Sequence, residues 1–254
     1  MNKSNKSMND NNSLKDIHAE LLRILEYIDS TLRNHHIWYS LAYGTVLGAV
    51  REKGFIPWDK DADVYLRITD RDQARKVLKE NIPDYLEYVD ASCDNVNVFD
   101  NIKSKKFGEL AEVDLYTLVG APNIEGWSEG KKKRLLFLHK VMVKLTCAKY
   151  VDTSKLVDRY KIIPFLLVKA FMHLIPDSVI RKYIRNKELQ YDYNNSEYCM
   201  ALVTYDNVND IRKKEIIENV KDHTFEGRMF LIPKNYDAYL RGEYGDDYMT
   251  PRQW

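Results

Sequence analysis

The sequence is poor in cysteine and has almost no net charge. Its three cysteines, Cys93, Cys147 and Cys199, lie far apart with no C-x-x-C pair, and its six histidines are scattered. This spacing excludes a disulfide framework and a clustered zinc site, and it indicates reduced thiols in a reducing compartment. Lys and Arg number 39 against 38 Asp and Glu, a formal charge of +1. Because nucleic acids are bound through a strong basic excess, this balance excludes a dedicated nucleic-acid-binding protein.

Long apolar segments are also missing. The amino-terminal residues MNKSNKSMNDNN lack the apolar stretch of a signal peptide, and we expect a disordered tail over residues 1–13. The longest apolar stretch, residues 162–176, is interrupted by Pro164, Lys169 and His173. It is shorter than the roughly 20 residues that span a bilayer. The sequence therefore predicts a cytoplasmic protein without a transmembrane helix.

Hydrophobic residues nevertheless make up 44% of the chain, which is enough for a packed core and excludes a disordered protein. Apolar side chains at three- and four-residue steps predict helices, and alternating ones predict strands. The predicted helices lie at about 14–34, 46–53, 70–81, 130–149 and 154–190, and the predicted strands at 37–43, 61–68, 85–90, 95–102 and 108–120. The last sixty residues are mixed. This order predicts an α+β fold with a mixed β-sheet core flanked by helices and a helical carboxyl-terminal half.

Three aspartates, Asp59, Asp61 and Asp63, occupy alternate positions at the start of one predicted strand. On a strand, Asp61 and Asp63 share a face and converge on one point. Paired carboxylates repel each other unless a cation lies between them, and hard oxygen ligands select Mg²⁺ or Mn²⁺ over zinc. From this motif alone, two interpretations are open: a turn with solvated aspartates, or a divalent-metal site.

The dipeptide Gly44-Thr45 lies between a predicted strand and a predicted helix. A glycine there lets a ligand approach the backbone closely, and the N–H groups that begin the helix attract phosphate. The same dipeptide also serves as an ordinary turn with a threonine cap. Joined to a carboxylate pair on the next strand, however, it favours phosphoryl transfer, which needs both phosphate and metal binding.

The segments YGTVLGAVR (43–51) and GFIPWDKDADV (54–64) resemble the LicD family, which also contains fukutin and fukutin-related protein. Further matching segments are EVDLYTL (112–118) and IPKNYDAYL…YGDDYMTP (232–251). The resemblance implies a nucleotidyltransferase fold, with a Gly-Ser/Thr turn, an Asp-x-Asp pair and a third carboxylate on a later strand.

We expect a single LicD-like catalytic domain over residues 14–254. Its parts would be a core at about 14–120, a helical extension at about 125–190 and a carboxyl-terminal segment at 191–254.

Members of the family transfer a phosphorylated alcohol from a CDP-activated donor to a sugar hydroxyl. The resemblance thus implies a Mg²⁺- or Mn²⁺-dependent phosphotransferase that moves phosphocholine, phosphoribitol or phosphoglycerol and releases CMP, with CDP-choline the favoured donor. The acceptor would be a glycan or lipid-linked glycan of the cell surface, such as a lipopolysaccharide or teichoic acid precursor. Two alternatives are a nucleotidyltransferase that moves NMP from an NTP to a small molecule or protein, and a non-catalytic nucleotide-binding scaffold.

The resemblance also implies roles for five acidic residues. Asp61 and Asp63 would bind the metal ion. Asp114 would complete a metal site or accept the proton of the acceptor hydroxyl. Glu112 shares the strand face of Asp114 and is its reserve candidate, while Asp59 would have a supporting role.

Four further residues are expected to bind the donor. Gly44 and Thr45 would hold its phosphates, and Arg51 would neutralise the pyrophosphate; the alternative for Arg51 is an ordinary surface position on a helix. A quaternary ammonium has no hydrogen to donate and is bound by aromatic faces, for which Trp58 beside the acidic motif is the candidate.

The basic segment KKKRLLFLHKVMVKL (131–145) and the apolar stretch 162–176 leave two interpretations open. They form either the charged outer face of packed helices or a peripheral contact with an anionic membrane surface. Lipid-linked acceptors at the inner face of the membrane, which are frequent in this family, are consistent with the second interpretation.

Overall fold

A computed structural model describes residues 3–91, 99–135, 137, 141, 159–201 and 210–251. The helices are α1 (Lys3–Asn34), α2 (Tyr43–Arg51), α3 (Arg71–Glu80), α4 (Arg159–His173), α5 (Asp177–Glu188), α6 (Lys214–Glu218) and α7 (Tyr236–Tyr244). The strands are β1 (Tyr39–Leu41), β2 (Asp61–Arg67), β3 (Leu86–Val89), β4 (Asp100–Ser104), β5 (Gly108–Ala121), β6 (Tyr198–Ala201), β7 (Arg212–Lys213), β8 (Val220–Phe225) and β9 (Arg228–Pro233). Residues 129–135 are also helical. The predicted α+β class is confirmed.

The chain divides into two compact units. The first comprises Met1–Val89, Asn101–Thr117 and Lys213–Trp254, and the second comprises Asp90–Asp100 and Leu118–Arg212. The single catalytic domain over residues 14–254 and its internal boundaries stay a prediction.

The sheet of the first unit has the strand order β1-β2-β5-β4-β3. Strands β1 and β2 are antiparallel, with Tyr39 opposite Leu66 and Leu41 opposite Val64. Strands β3 and β4 are also antiparallel. Because β2 and β5 are neighbours, the two strands that carry the candidate carboxylates lie side by side.

Helix α1 buries the apolar stripe that the sequence predicts. Its fully buried residues include Leu21, Ile24, Leu25, Ile28 and Leu32. The helix ends at Asn34 as predicted but begins at Lys3, so residues 3–13 are helical where the sequence predicted a disordered tail. A helix that is already nucleated extends by one hydrogen bond per added residue, without a new nucleation cost.

Two predicted boundaries differ from the structure. The strand predicted at 37–43 is shorter, because Tyr43 already belongs to α2, whose residues Val46, Leu47 and Ala49 are buried at helical spacing. The helix predicted at 154–190 is divided before Pro176, since a residue that precedes proline disfavours the helical conformation. The greater part of the predicted helix 130–149, and residues 95–98 of the predicted strand 95–102, lie outside the described residues.

The hairpin of β8 and β9 holds the loop that leads into β2. Its turn residues Glu226 and Gly227 have φ of 48° and 73°, the left-handed conformation that favours glycine in two-residue hairpin turns. The Glu226 carboxylate accepts a hydrogen bond from the Phe55 N–H over 3.1 Å. The Glu226 N–H donates to the Lys53 carbonyl over 2.9 Å. These contacts fix the chain just before the acidic motif.

In the second unit, residues 118–121 of β5 pair antiparallel with β6. Helices α4 and α5 pack through Met172 and Ile180, with Val168, Ile175 and Ile184 around them. None of the helices in the described ranges combines the length and hydropathy that crossing a bilayer requires.

Candidate active site

The structure brings the candidate carboxylates to two neighbouring strands. Asp61 and Asp63 begin β2, Asp59 lies in the loop before it, and Glu112 and Asp114 lie on β5. Asp61 is exposed, Asp59, Asp63 and Glu112 are partly buried, and Asp114 is buried. The acidic residues of the two predicted motifs therefore lie on adjacent elements of one sheet.

Burial and the charges of neighbouring carboxylates raise the pKa values of Asp59, Asp63, Glu112 and Asp114. The pKa of Asp63 lies well above its ordinary value, mainly because of burial, and the charges of Asp61, Asp114 and Asp59 raise it further. Burial, followed by the charges of Glu112 and Asp61, raises the pKa of Asp114 to about 8. Carboxylates crowded together in this way repel one another when ionised, and a bound cation would relieve that repulsion.

Asp59 and Glu112 belong to the same electrostatic cluster. Burial, followed by the hydrogen bond with Asp61 and its charge, raises the pKa of Asp59 to about 7. The pKa of Glu112 is also raised, first by burial and then by Glu109 and Asp61. Asp61 therefore forms a hydrogen bond with Asp59 in the loop before β2 and repels Glu112 on β5.

Asp114 has an unusual environment for a buried carboxylate. Among the described residues, its Oδ1 atom is buried without a hydrogen-bond partner. The Tyr116 hydroxyl, two residues further along β5, forms a hydrogen bond with the carboxylate and lowers its pKa. An unpaired buried carboxylate oxygen is costly, and such an atom marks a place for a cation or a proton.

The donor set fits a divalent cation in its chemistry. In the described part of the chain, no three His, Cys, Asp or Glu side chains are arranged around one point as a metal-binding group. The Asp61 carboxylate instead forms a hydrogen bond with Asp59. The side chains are nevertheless hard oxygen donors on neighbouring strands, and Asp114 Oδ1 lacks a partner. Mg²⁺ or Mn²⁺ bound by Asp61, Asp63 and Asp114 stays a prediction.

The turn at Gly44 and Thr45 is attached directly to the acidic motif. Thr45 Oγ1 accepts a hydrogen bond from the Asp63 N–H over 2.8 Å. The Ala42 N–H donates to the Asp63 carbonyl over 2.9 Å. The Asp59 carboxylate lies beside Gly44, where a side chain would crowd it. The structure thus joins the two motifs through direct hydrogen bonds, and phosphate binding by Gly44 and Thr45 stays a prediction.

Arg51 and Trp58 have surroundings that the sequence did not predict. The Arg51 Nε forms an ion pair with Glu52 over 2.7 Å, and its Nη1 donates to the Tyr248 carbonyl over 3.2 Å. Arg51 therefore attaches the carboxyl-terminal segment to α2. Trp58 lies exposed in the loop before β2. Donor binding by these two residues also stays a prediction.

A group of tyrosines that the sequence motifs did not predict lies around the turn; we call it the tyrosine cluster, and its members are Tyr43, Tyr65, Tyr116 and Tyr239. The Tyr43 ring lies edge-on to the rings of Tyr65 and Tyr116, with centroids 5.1 Å apart in each pair. The hydroxyl of Tyr239 accepts a hydrogen bond from the Tyr43 N–H over 2.8 Å. Three of these tyrosines lie in the segments that carry the family resemblance, and this position was the one indication in the sequence that they belong to the site.

The comparisons with known proteins agree with this site. Residues 36–135 match the family described as LicD/FKTN/FKRP, nucleotidyltransferase domain, and this range contains Gly44, Thr45, Asp61, Asp63 and Asp114. The chain is also 25% identical over 263 residues to the lipopolysaccharide cholinephosphotransferase LicD of Haemophilus influenzae. That similarity covers 94% of this chain and 92% of the relative. The resemblance identified from the motifs is confirmed.

Proposed function

We propose, from the match of residues 36–135 to the LicD/FKTN/FKRP family and the similarity to a LicD cholinephosphotransferase, that the chain is a transferase for phosphocholine or a related phospho-alcohol such as phosphoribitol or phosphoglycerol. The donor would be CDP-linked, the acceptor a hydroxyl of a cell-surface glycan precursor, and the leaving group CMP. The relative that is a lipopolysaccharide cholinephosphotransferase supports phosphocholine as the group transferred and CDP-choline as the favoured donor.

One observation carries the proposal: Asp63 connects the acidic cluster to the turn at Gly44 and Thr45. Its carboxylate is repelled by the carboxylates of Asp61 and Asp114. Its backbone N–H donates to Thr45 in the turn that precedes α2. A phosphate held at that turn would lie near the acidic cluster, where phosphoryl transfer requires charge compensation.

The residues have distinct roles in the proposed reaction. The acceptor hydroxyl oxygen forms a bond to the donor's distal phosphorus. The bond from that phosphorus to the oxygen shared with CMP breaks, and CMP leaves with the electron pair. Asp114, whose Oδ1 has no partner among the described residues, accepts the hydroxyl proton or binds the cation. Gly44 and Thr45 orient the donor phosphates through the start of α2.

Asp61 and Asp63 would hold Mg²⁺ or Mn²⁺, with Asp59 in support and Glu112 as the reserve for Asp114. A bound divalent cation would offset the negative charge of the donor pyrophosphate.

We also propose a peripheral contact of the second unit with an anionic membrane at the inner face, where a lipid-linked acceptor would be reached. Leu167, Phe171 and Leu174 follow helical spacing at the end of α4 and are 69%, 62% and 80% exposed. The charged residues nearby on α4 and α5 are mainly basic and comprise Lys169, Arg181, Lys182, Arg185 and Lys187 against Asp177 and Glu188. Apolar side chains beside a basic excess suit anionic lipid.

The experiment that tests the reaction is CMP release from CDP-choline, CDP-ribitol and CDP-glycerol with Mg²⁺ and lipopolysaccharide that lacks phosphocholine. We expect Asp63→Asn to reduce CMP release about a hundredfold or more. The matched control is Asp84→Asn, because Asp84 is exposed in a loop outside the site. Unchanged turnover in Asp63→Asn would remove the site assignment.

The same assay separates the alternatives, of which the nucleotidyltransferase is favoured by the name of the matched domain. Pyrophosphate released from an NTP, without CMP from any CDP donor, would support NMP transfer. A melting temperature that a nucleotide raises in the presence of Mg²⁺, without release of CMP or pyrophosphate, would support a non-catalytic nucleotide-binding scaffold.

A further inference from the structure

Tyr43, the first residue of α2, has a strained backbone. Its φ is 41°, in the left-handed region that residues with a side chain rarely adopt. Such a conformation costs on the order of 1–3 kcal/mol and persists only where neighbouring groups hold it. Tyr43 immediately precedes Gly44 and Thr45, so whatever holds Tyr43 also determines the conformation of the turn.

Three tyrosines of the cluster hold Tyr43 in place. Its ring is flanked edge-on by Tyr65 of β2 and Tyr116 of β5. Its N–H, which has no acceptor within a helix that begins at this residue, donates to the Tyr239 hydroxyl over 2.8 Å. The Tyr239 hydroxyl also lies 3.2 Å from the Tyr65 hydroxyl. Tyr239 is completely buried, so its oxygen occupies a defined position.

Tyr239 thus connects α7 to both parts of the site. Its hydroxyl accepts a hydrogen bond from Tyr43 in the turn and contacts the hydroxyl of Tyr65 on β2. Tyr65 follows Asp63 by two positions on the same strand face. The turn and the strand are in addition joined by the hydrogen bond from Asp63 to Thr45. Two independent hydrogen bonds therefore hold the short segment 43–45, one through the backbone N–H of Tyr43 and one through the side chain of Thr45.

We propose that Tyr239 is a positioning residue, whose hydroxyl holds the segment 43–45 in the conformation that binds the phosphates of the donor. The inference rests on the proposed function and assigns to Tyr239 the control of donor affinity. Tyr239 contacts the turn through the Tyr43 backbone, so its loss changes donor binding more than the chemical step.

The test is Tyr239→Phe, which keeps the buried ring and removes one oxygen. The variant also removes the contact with the Tyr65 hydroxyl, but only the hydrogen bond from the Tyr43 N–H acts on the turn, and loss of one hydrogen bond corresponds to about a fivefold change in affinity. We expect the donor KM and the Kd for CDP-choline, measured by calorimetry with Mg²⁺, to rise about fivefold. We expect kcat at saturating donor and the acceptor KM to stay within about twofold of the wild-type values. Amide hydrogen exchange of residues 43–46 should become faster.

The matched control is Tyr27→Phe, which removes another hydroxyl, one that donates to the Leu78 carbonyl between α1 and α3. This variant should lose stability without a change in donor KM. A similar rise of the donor KM in both variants, or unchanged exchange at residues 43–46 in Tyr239→Phe, would overturn the inference. Failure of the wild-type protein to release CMP would instead overturn the proposed function. The role of Tyr239 would still be decided by amide hydrogen exchange of residues 43–46 and by the calorimetric Kd for CDP-choline.

Discussion

The carboxylate of Asp59 lies against the α-carbon of Gly44. A β-carbon on Gly44 would stand 3.1 Å from Asp59 Oδ2, closer than an ordinary van der Waals contact. A side chain at position 44 would therefore displace the Asp59 carboxylate by a few tenths of an ångström, because the acidic loop approaches the start of α2 at this point. The contact joins the two motifs that are separated in the sequence by the rest of α2 and the loop that follows it.

Substitution of Gly44 by alanine should displace the Asp59 carboxylate. We expect CMP release to fall about tenfold, because small misplacements in an active site have large effects on rate. The free energy of unfolding should change little. Alanine stabilises a helix by about 0.5–1 kcal/mol relative to glycine, and this gain offsets the cost of the crowding. The control is Gly242→Ala in α7, where a β-carbon meets nothing within 4 Å. Equal activity of Gly44→Ala and the wild type would contradict the prediction.

The hydrogen bond between Thr45 and Asp63 should contribute to stability and to activity. Thr45→Val keeps the shape of the side chain but leaves the Asp63 N–H without this acceptor, which costs about 1–2 kcal/mol. Thr45→Ser retains the oxygen and should recover most of the stability and CMP release. Urea unfolding and the CMP assay on both variants measure the difference. Identical behaviour of the valine and serine variants would show that the hydrogen bond is unimportant.

The acidic cluster should make the metal-free protein less stable as the pH rises. The pKa values of about 7 for Asp59 and about 8 for Asp114 exceed that of an unfolded aspartate, near 4. The folded state therefore binds more protons, so the stability contributed by these groups is complete below about pH 4 and is lost as the pH rises through about 8.

Urea unfolding at several pH values in EDTA measures this loss. Asp114→Asn should reduce the pH dependence, because the amide does not titrate. Mg²⁺ added at pH 8 should restore stability to the wild type more than to Asp114→Asn. The same pH dependence in both proteins would mean that Asp114 does not contribute to it.

The membrane contact predicts sedimentation with lipid vesicles. The protein should co-sediment with vesicles that contain anionic phosphatidylglycerol, and less with pure phosphatidylcholine, which has no net charge. The association should be strongest at low salt, because salt screens the basic residues. Leu167→Ser combined with Phe171→Ser should weaken the association, whereas Leu110→Ser, another exposed leucine, should not. No co-sedimentation of the wild type would exclude the contact.

Much of the site was predictable because local patterns encode it. The alternation after Asp59 predicted a strand with Asp61 and Asp63 on one face, and β2 begins at Asp61. The same reasoning placed Glu112 and Asp114 on β5. The surroundings of Arg51 were not predictable, because its contact is with the Tyr248 carbonyl, 197 residues further along the chain.

The sequence by itself determined which elements around the site are helices or strands, though not that Tyr43 already belongs to α2, and it determined which carboxylates share a strand face. These properties depend on the periodicity of neighbouring side chains and need no distant contact. Only the tertiary structure decided that β2 lies beside β5, that Asp59 reaches Gly44, and that Tyr239 holds the backbone of Tyr43 from 196 residues away. Such contacts follow from how the elements pack around a shared core, and local sequence periodicity carries no information about that packing.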